Sequence, residues 1–303
     1  MMKKHVVCLT KSYNWGDTLT WLNYYDQLGY TIHLIDNESE FDASPWFKDH
    51  PQHTYEKIEG WPDQWILFSN ILNENKYGFN KGDLVTFIDD DEYLWYYLDY
   101  WKLVESKDPQ YKNKYYEPME DYLIKQMKKQ TDMGVPGCVL VPQILMSSNE
   151  LMKCRDETSY IDSNYYRRTD TSSQGKAIVL YDQTYTYDFT VKVGEECGHV
   201  PVIYKKSFDS SVYADIVKQA KRLSLVNGEG ISETTFGDVD YNACLRLYHY
   251  HIKSENDWEK KINRGSAAVD HQWYARDVRA NKYFGGYNIP DFTMLETKKL
   301  MGI

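Results

Sequence analysis

The spacing of apolar residues predicts alternating strands and helices at the start of the chain. His5 to Leu9 is a short apolar run that predicts a buried strand. Leu19 to Leu28 then carries apolar residues at helical spacing and stops at Gly29. Thr31 to Ile35 predicts a second strand, which ends in Asp36-Asn37. The opening residues therefore predict one β-α-β unit of the kind that binds nucleotides.

The same alternation continues along the chain. Further helices are predicted for Pro62 to Gly78, Glu117 to Met133 and Val212 to Leu225. Further strands are predicted for Leu84 to Ile88, Cys138 to Leu145, Ile178 to Tyr181, Thr184 to Val193, Val200 to Lys205 and Leu245 to Ile252. Ser147 to Gln174 is polar without clear period, which indicates a functional loop or lid. We expect one α/β domain over residues 1–303, with helices flanking a mixed central sheet.

An acidic cluster follows one of the predicted buried strands. The strand from Leu84 runs directly into Asp89, Asp90, Asp91 and Glu92. On an extended chain Asp89 and Asp91 point the same way, and crowded carboxylates at a strand end favour a divalent cation that offsets their repulsion. Carboxylate oxygens suit Mn²⁺ or Mg²⁺. The alternative is a solvated acidic turn that caps the next helix.

A second polar segment lies near the end of the chain. The alternation from Leu245 predicts that His249 and His251 share one face of a strand. The pair could bind a metal or a diphosphate, or simply form a hydrogen-bonded sheet edge. Ser254 then predicts the N-cap of a helix. Lys253, Lys261 and Arg264 are candidates for phosphate contacts, because they would lie near the strand end that carries the histidines. Lys260 is interpreted as an ordinary solvated lysine of an amphipathic helix.

Composition narrows the classes of function. The net charge of −10 disfavours a protein whose affinity comes mainly from binding phosphates. The 28 Tyr and 9 Trp offer flat surfaces for stacking on sugars or bases, beside their use in the core. Five scattered cysteines without a Cys-x-x-Cys pair indicate reduced thiols and a cytoplasmic location. No stretch has the apolar length of a membrane span, so we expect no stable membrane insertion.

These segments together resemble glycosyltransferase family 92 and its bacterial and viral relatives, which adopt the GT-A fold. Thr10-Lys11-Ser12 and the stretch from Ile35 to Ser39 are similar to the family's first loop and its Asp-Asn-x-Ser stretch. Phe87 to Tyr93 looks like its Asp-x-Asp-Glu-aromatic metal motif. His249-Tyr250 with Lys253-Ser254, followed by Lys261 and Arg264-Gly265, looks like its late His-Tyr-x-x-Lys-Ser and Lys-x-x-Arg-Gly signature. Lys11 is followed by Ser12-Tyr13, where many relatives carry a Glu.

The resemblance implies a metal-dependent transfer of a sugar from a nucleotide diphosphate sugar to an acceptor hydroxyl. Residues 1–100 would form the nucleotide-sugar half, and residues 101–303 the acceptor half. The implied metal ligands are Asp89, Asp91 and His249, and the implied catalytic residues are Asp91, Glu92 and Lys253. The implied donor-binding residues are Thr10, Lys11, Asp36, Asn37, Asp90, Lys253 and Arg264. A uridine diphosphate sugar, inversion at the sugar and a glycan acceptor are favoured.

Several questions stay open at this level. Candidates for the general base that an inverting enzyme needs are Asp156, Glu157, Glu195 and Glu196. One rival is a viral-type enzyme acting in a host cytoplasm on a hydroxylated base in DNA, held by Lys153, Arg155, Arg167 and Arg168. Other rivals are a metal-dependent phosphohydrolase and a binding protein without turnover.

Overall fold

The computed structural model describes residues 2–60, 62–111, 116–132, 134, 136–147, 159–168, 175–190, 192–193, 196–197, 201–207, 244–250, 253–264 and 287–303. Its strands are β1 (Lys4–Thr10), β2 (Tyr30–Asn37), β3 (Thr54–Ile58), β4 (Leu84–Phe87), β5 (Glu92–Tyr96), β6 (Cys138–Ser147), β7 (Tyr166–Arg168), β8 (Gly175–Leu180), β9 (Tyr185–Asp188), β10 (Lys192–Val193), β11 (Glu196–Cys197), β12 (Val202–Lys205), β13 (Leu245–His249) and β14 (Tyr287–Pro290). Its α-helices are α1 (Trp15–Gln27), α2 (Ser44–Asp49), α3 (Gln64–Asn73), α4 (Tyr97–Lys107), α5 (Met119–Asp132), α6 (Glu255–Arg264) and α7 (Thr293–Met301).

A mixed sheet organises the described part of the chain. Its strand order is β14-β7-β6-β8-β4-β1-β2-β3, and β13 pairs with both β6 and β5. Strands β4, β1, β2 and β3 run parallel, whereas β8 is antiparallel to both β4 and β6. The predicted α/β class is therefore confirmed, and the mixed sheet agrees with the expectation.

Local sequence signals explain where the first helices begin. The Asn14 side chain accepts hydrogen bonds from the backbone N–H groups of Gly16 and Asp17, which caps α1. Asp63 caps α3 in the same way. After α1 the chain turns at Gly29 with φ of 75°, a left-handed conformation that glycine adopts without steric cost. Capping and turn chemistry thus set the β-α-β path that the sequence predicted.

Helices cover both faces of the sheet, because its parallel strands are apolar on both sides. Helix α1 contributes Trp21 and Tyr25 to one core, in which both side chains are fully buried. Helix α3 contributes Phe68 and Ile71 to the core on the other face, where Phe68 stacks on Phe87 with ring centroids 4.4 Å apart. The strands between these layers are held in place from both sides.

Some predicted elements differ in the structure. The segment from Ser147 to Gln174, predicted as a polar loop, contains a 3-10 helix at Tyr160–Asp162 and strand β7. Tyr160 is fully buried there, so part of the segment belongs to the core. The late strand ends at His249 rather than Ile252, and the Tyr250 N–H donates to the backbone oxygen of Asp91 at 2.8 Å. The helix predicted for Val212 to Leu225 lies outside the described residues.

None of the helices in the described ranges is both long enough and apolar enough to cross a bilayer.

A buried chain of polar groups joins the amino ends of the parallel strands. The Thr54 hydroxyl lies 2.8 Å from His33 Nδ1, and His33 Nε2 lies 3.0 Å from His5 Nδ1. His5 Nε2 is 3.4 Å from Asp83 Oδ2. One consistent assignment has Thr54 donating to His33, His33 to His5 and His5 to Asp83, with both imidazoles neutral. Burial lowers the pKa of His33 to about 3, and burial also lowers the pKa of His5.

This network predicts a loss of stability in mild acid. His33 binds a proton in the unfolded chain below about pH 6.5 but in the folded protein only near pH 3. Stability is therefore lost as pH falls from 6.5 towards 3, by about 2 kcal/mol at pH 5 for this group. Chemical denaturation at several pH values measures it. His33→Gln should flatten the dependence, and His50→Gln, which removes a partly buried histidine bonded to the backbone oxygen of Trp46 rather than to this network, should retain it. An unchanged dependence in His33→Gln would contradict the prediction.

Candidate active site

The carboxyl ends of the parallel strands bring the first candidate residues to one edge of the sheet. Thr10 at the end of β1 lies opposite Asp36 in β2. The Thr10 hydroxyl donates to Asp90 Oδ2 at 2.6 Å, which joins the end of β1 to the turn after β4. Ligands of open α/β sheets bind at this edge, beyond the carboxyl ends of the strands. Three predicted site residues therefore share the expected position.

The four acidic residues form a tight turn rather than an extended segment. The Glu92 N–H donates to the backbone oxygen of Asp89 at 3.1 Å, and the Glu92 side chain accepts the N–H of Asp89 at 3.0 Å. Glu92 already belongs to β5 and is 1% exposed. Because the chain turns at Asp90 and Asp91, the side chains of Asp89 and Asp91 reach different partners.

Buried aromatic side chains anchor this turn from below. Trp21 Nε1 and the Tyr25 hydroxyl both donate to the backbone oxygen of Glu92 at 3.2 Å. The Tyr160 hydroxyl donates to the backbone oxygen of Asp90 at 2.8 Å. These contacts fix the carbonyl groups of the turn inside the core. The many tyrosines noted in the sequence thus serve, in part, to hold the acidic turn.

Strand β13 delivers His249 to the acidic turn. It pairs with β5 so that His249 lies opposite Glu92 in the ladder. His249 Nδ1 lies 2.5 Å from the amide oxygen of Gln143, to which it donates, and Nε2 lies 3.5 Å from Asp91 Oδ1. A partner that holds one ring nitrogen in this way orients the other, as for histidines that bind metals. The predicted meeting of the acidic and late segments is thus present in the geometry.

Two lysines face the acidic cluster, of which only one was a sequence candidate. Lys253 Nζ lies 3.9 Å from Asp91 Oδ2 and 4.5 Å from the centre of the Tyr160 ring. Lys176 in β8 lies 2.8 Å from Asp89 Oδ2 and 3.3 Å from Glu92 Oε2. Sequence reasoning missed Lys176, although a single charged residue at the start of the apolar run of β8 was a signal. The cluster therefore contains its own positive charge.

Burial and the lysines set the protonation of the buried carboxyl groups. Burial raises the pKa of Glu92 to about 7, although Lys176 acts in the opposite direction. For Asp89 burial also acts upward, but the Lys176 ammonium outweighs it and the net pKa lies below the usual value. Burial lowers the pKa of Lys176, but Asp89 and Glu92 outweigh it, so that the lysine stays charged. Lys176 and Asp89 therefore form an ion pair in which the lysine is buried and the aspartate is partly exposed.

The predicted donor residues lie around the ends of β1 and β2. Asp36 accepts the Ser39 N–H at 2.8 Å and the Tyr55 hydroxyl at 2.7 Å, so both of its oxygens hold local structure. Asn37 is 5% exposed, and its side-chain oxygen has no hydrogen-bond partner among the described residues. Lys11 pairs with Glu38 at 2.9 Å. Asn37 is thus the residue of this group whose buried acceptor a ligand could satisfy.

Helix α6 lies beside the first loop. The Ser254 hydroxyl accepts the Asp257 N–H at 3.1 Å, which confirms the predicted N-cap. The Tyr13 hydroxyl donates to the backbone oxygen of Lys260 at 3.5 Å, and the Lys260 ammonium lies 5.2 Å from the centre of the Tyr13 ring. Arg264 is the last residue of α6. The late basic segment and the first loop are therefore neighbours.

Several other candidates are not part of this geometry. Asp156, Glu157, Glu195, Lys153, Arg155, His251 and Gly265 lie outside the described residues. Glu196 begins β11, and Arg168 ends β7. Arg167 Nε lies 3.7 Å from Asp291 Oδ2 in a partly buried pair. A chain of basic residues along this segment would therefore include one arginine that already faces a carboxylate.

The residues of the acidic turn fit a divalent cation only in part. The described ranges contain no cluster of three or more His, Cys, Asp or Glu side chains arranged around one metal position. Asp91 Oδ1 and His249 Nε2 nevertheless face each other at 3.5 Å, as an oxygen and a nitrogen donor. Mg²⁺ in particular is commonly held by one or two protein ligands together with substrate phosphates and water. The pair fits a cation of this kind, whereas Asp89 faces Lys176.

Comparison with known proteins assigns no family. No protein-family model matches the chain, and no curated protein matches it significantly. The function must therefore be inferred from the motifs and from the geometry of the acidic turn.

Proposed function

We propose that the chain is a glycosyltransferase of the GT-A type, which takes a sugar from a nucleotide diphosphate sugar. The observation that carries the proposal is the convergence of Asp91, His249 and Lys253. Asp91 and His249 come from motifs far apart in the chain, and both motifs resemble the same family. A carboxylate, an imidazole and an ammonium group at one sheet edge can together bind a diphosphate and its metal ion.

The donor would lie across the ends of β1, β2 and β4. The unpartnered oxygen of Asn37 is suited to accept an N–H group of the nucleobase, as uracil provides. Asp36 would support this subsite by holding Ser39 and Tyr55. Thr10 at the end of β1 binds Asp90, and Lys11 in the loop that follows binds Glu38. The nucleoside half of the donor is thus assigned to residues before position 40.

The diphosphate would lie between the acidic turn and the late segment. A bound Mn²⁺ or Mg²⁺ would act as a Lewis acid on the leaving diphosphate. Asp91 and His249 would hold that cation, and Lys253 would offset the negative charge that develops as the glycosidic bond breaks. Glu92, with its pKa raised to about 7 by burial, is held inside the turn and supports Asp91 from below. We assign Glu92 a positioning role, because its side chain is almost completely buried.

The acceptor is proposed to be a glycan hydroxyl, with inversion at the transferred sugar. The residues proposed to hold it belong to the second half of the chain. A cytoplasmic setting is consistent with Cys8, Cys138 and Cys244, which are free thiols in the described chain. A hydroxylated base in DNA remains the rival acceptor, and binding to DNA that weakens with salt would distinguish it.

A donor panel tests the proposal. Purified protein is incubated with uridine, guanosine and cytidine diphosphate sugars, with Mn²⁺ or with chelator, and release of the nucleoside diphosphate is measured. We expect one donor to be cleaved, only with metal. If no donor is cleaved and none stabilises the protein against heat, the proposal fails. Cleavage of simple phosphate esters instead would favour a phosphohydrolase.

A further inference from the structure

Lys176 lies inside the acidic cluster at a position that a metal ion could otherwise occupy. Its ammonium group is 2.8 Å from Asp89 Oδ2 and 3.3 Å from Glu92 Oε2. The Lys176 side chain is 6% exposed and that of Glu92 is 1% exposed. A buried ammonium between two carboxyl groups neutralises them as a bound cation would.

The backbone around Lys176 holds this ammonium in place. Strand β8 is hydrogen-bonded on both sides, to β4 and to β6. Gly175 approaches β6 so closely that a Cβ atom built on it would lie 2.3 Å from the backbone oxygen of Val141. The backbone of Lys176 therefore belongs to a tightly packed strand. Moving the ammonium away would remove the cation that faces Glu92, whose side chain is 1% exposed.

The acidic turn divides its carboxylates between two partners. Asp89 pairs with Lys176 in β8, whereas Asp91 faces His249 and Lys253. Glu92 lies between the two groups, because its Oε2 is 3.3 Å from Lys176 and its Oε1 is 3.6 Å from His249 Nδ1. A divalent cation bound at Asp89 would lie within about 5 Å of the Lys176 ammonium, where two positive charges repel each other. A cation bound between Asp91 Oδ1 and His249 Nε2 avoids Lys176, and the ammonium of Lys253 faces the other oxygen of Asp91, Oδ2, at 3.9 Å.

We propose that the Lys176 ammonium acts as a built-in cation of the site. It pairs with Asp89 and Glu92, so that a divalent metal binds at Asp91 and His249 instead. Asp89 is then a positioning residue, which ties the turn to β8, rather than a metal ligand. This inference rests on the proposed function and specifies how its metal is held. It also changes the set of metal ligands that the motif resemblance implies, because Asp89, the first Asp of the motif, pairs with Lys176 instead of binding the metal.

Binding of Mn²⁺ without any sugar donor tests the ligand set. The unbound Mn²⁺ is measured by electron paramagnetic resonance for the parent protein and for three variants, each checked for folding by circular dichroism. Asp91→Asn and His249→Gln should each weaken Mn²⁺ binding at least about tenfold. Asp89→Asn should change it less than about twofold, since the side chain is not a ligand. Equal losses in Asp89→Asn and Asp91→Asn would overturn the proposal.

Substitutions of Lys176 test the built-in cation itself. Lys176→Gln frees Asp89 and Glu92, so Mn²⁺ should bind at least about tenfold more tightly than to the parent. Lys176→Arg keeps the positive charge and should remain close to the parent. Lys81→Gln is the matched control, because Lys81 pairs with Asp182 away from the acidic turn. A folded Lys176→Gln protein that binds Mn²⁺ no more tightly than the parent would contradict the proposal.

The remaining outcomes are also decisive. If Lys176→Gln does not fold, Asp89→Asn and Lys176→Arg decide the question on their own. If the parent fails to bind Mn²⁺ at millimolar concentration even with uridine diphosphate present, the proposal is wrong. Its failure is separate from that of the proposed function. If the variants show the expected pattern of Mn²⁺ binding but no donor is cleaved, the proposal for Lys176 stands and the proposed transferase function fails.

Discussion

Replacing Asp91 with asparagine is expected to lower kcat/KM for donor cleavage on the order of 10³-fold. Asparagine keeps the shape of the side chain but removes the negative charge that would hold the cation beside His249. The Asp91 backbone oxygen still accepts the Tyr250 N–H, so the turn should stay folded. The loss should therefore appear in turnover rather than in stability.

The measurement uses the donor that the panel identifies. Release of nucleoside diphosphate is followed at several donor and Mn²⁺ concentrations, and thermal unfolding is recorded beside it. Asp132→Asn is a matched control, because Asp132 is exposed on α5, where it pairs with Lys128. It should retain the parent's activity. Activity of Asp91→Asn within tenfold of the parent would remove Asp91 from the proposed site.

Replacing Trp21 with alanine is expected to destabilise the protein by about 4 kcal/mol. Trp21 is fully buried, and its ring centroid lies 4.7 Å from that of Tyr25. Its Nε1 also donates to the backbone oxygen of Glu92, so the substitution leaves a cavity and weakens the anchor of the acidic turn. The effect therefore combines lost packing with a lost buried hydrogen bond.

Chemical denaturation of the two proteins measures this loss. Trp15→Ala is the control, since Trp15 is only partly buried and packs on Phe41 near the start of α1. It should lose about 1 to 2 kcal/mol, in proportion to the smaller apolar area removed from the interior. Equal losses of stability in the two variants would contradict the prediction that Trp21 contributes more to the core than Trp15 does.

The start of the fold could be predicted from local sequence signals. Asn14, Gly29 and Asp63 mark helix ends and a turn by chemistry that acts over a few residues. The short strand of Thr54–Ile58 carries no such signal, because none of its residues is fully buried and it is stabilised by pairing with β2. Elements that depend on a distant partner are less visible in the sequence than elements with their own caps.

The candidate site divides in the same way. The acidic run after a buried strand and the late His249 were recognisable, because their residue types and spacing carry the motif. Lys176 was not, since a lysine in a strand reads as solvent-exposed until β8 is known to lie beside β4. The sequence analysis also assumed an extended chain, on which Asp89 and Asp91 point the same way. In the structure the chain turns at Asp90 and Asp91, so this assumption does not apply.

By itself the sequence determined the α/β class, the first β-α-β unit and the chemical character of the acidic and late polar segments. These properties depend on periodicity and residue type, which act locally. The tertiary structure decided which groups meet: Asp89 with Lys176, and Asp91 with His249 and Lys253. Such pairs are set by the order and register of strands that lie about 80 to 160 positions apart in the chain. Local sequence patterns do not specify this order or register, because both depend on backbone pairing and core packing between distant segments.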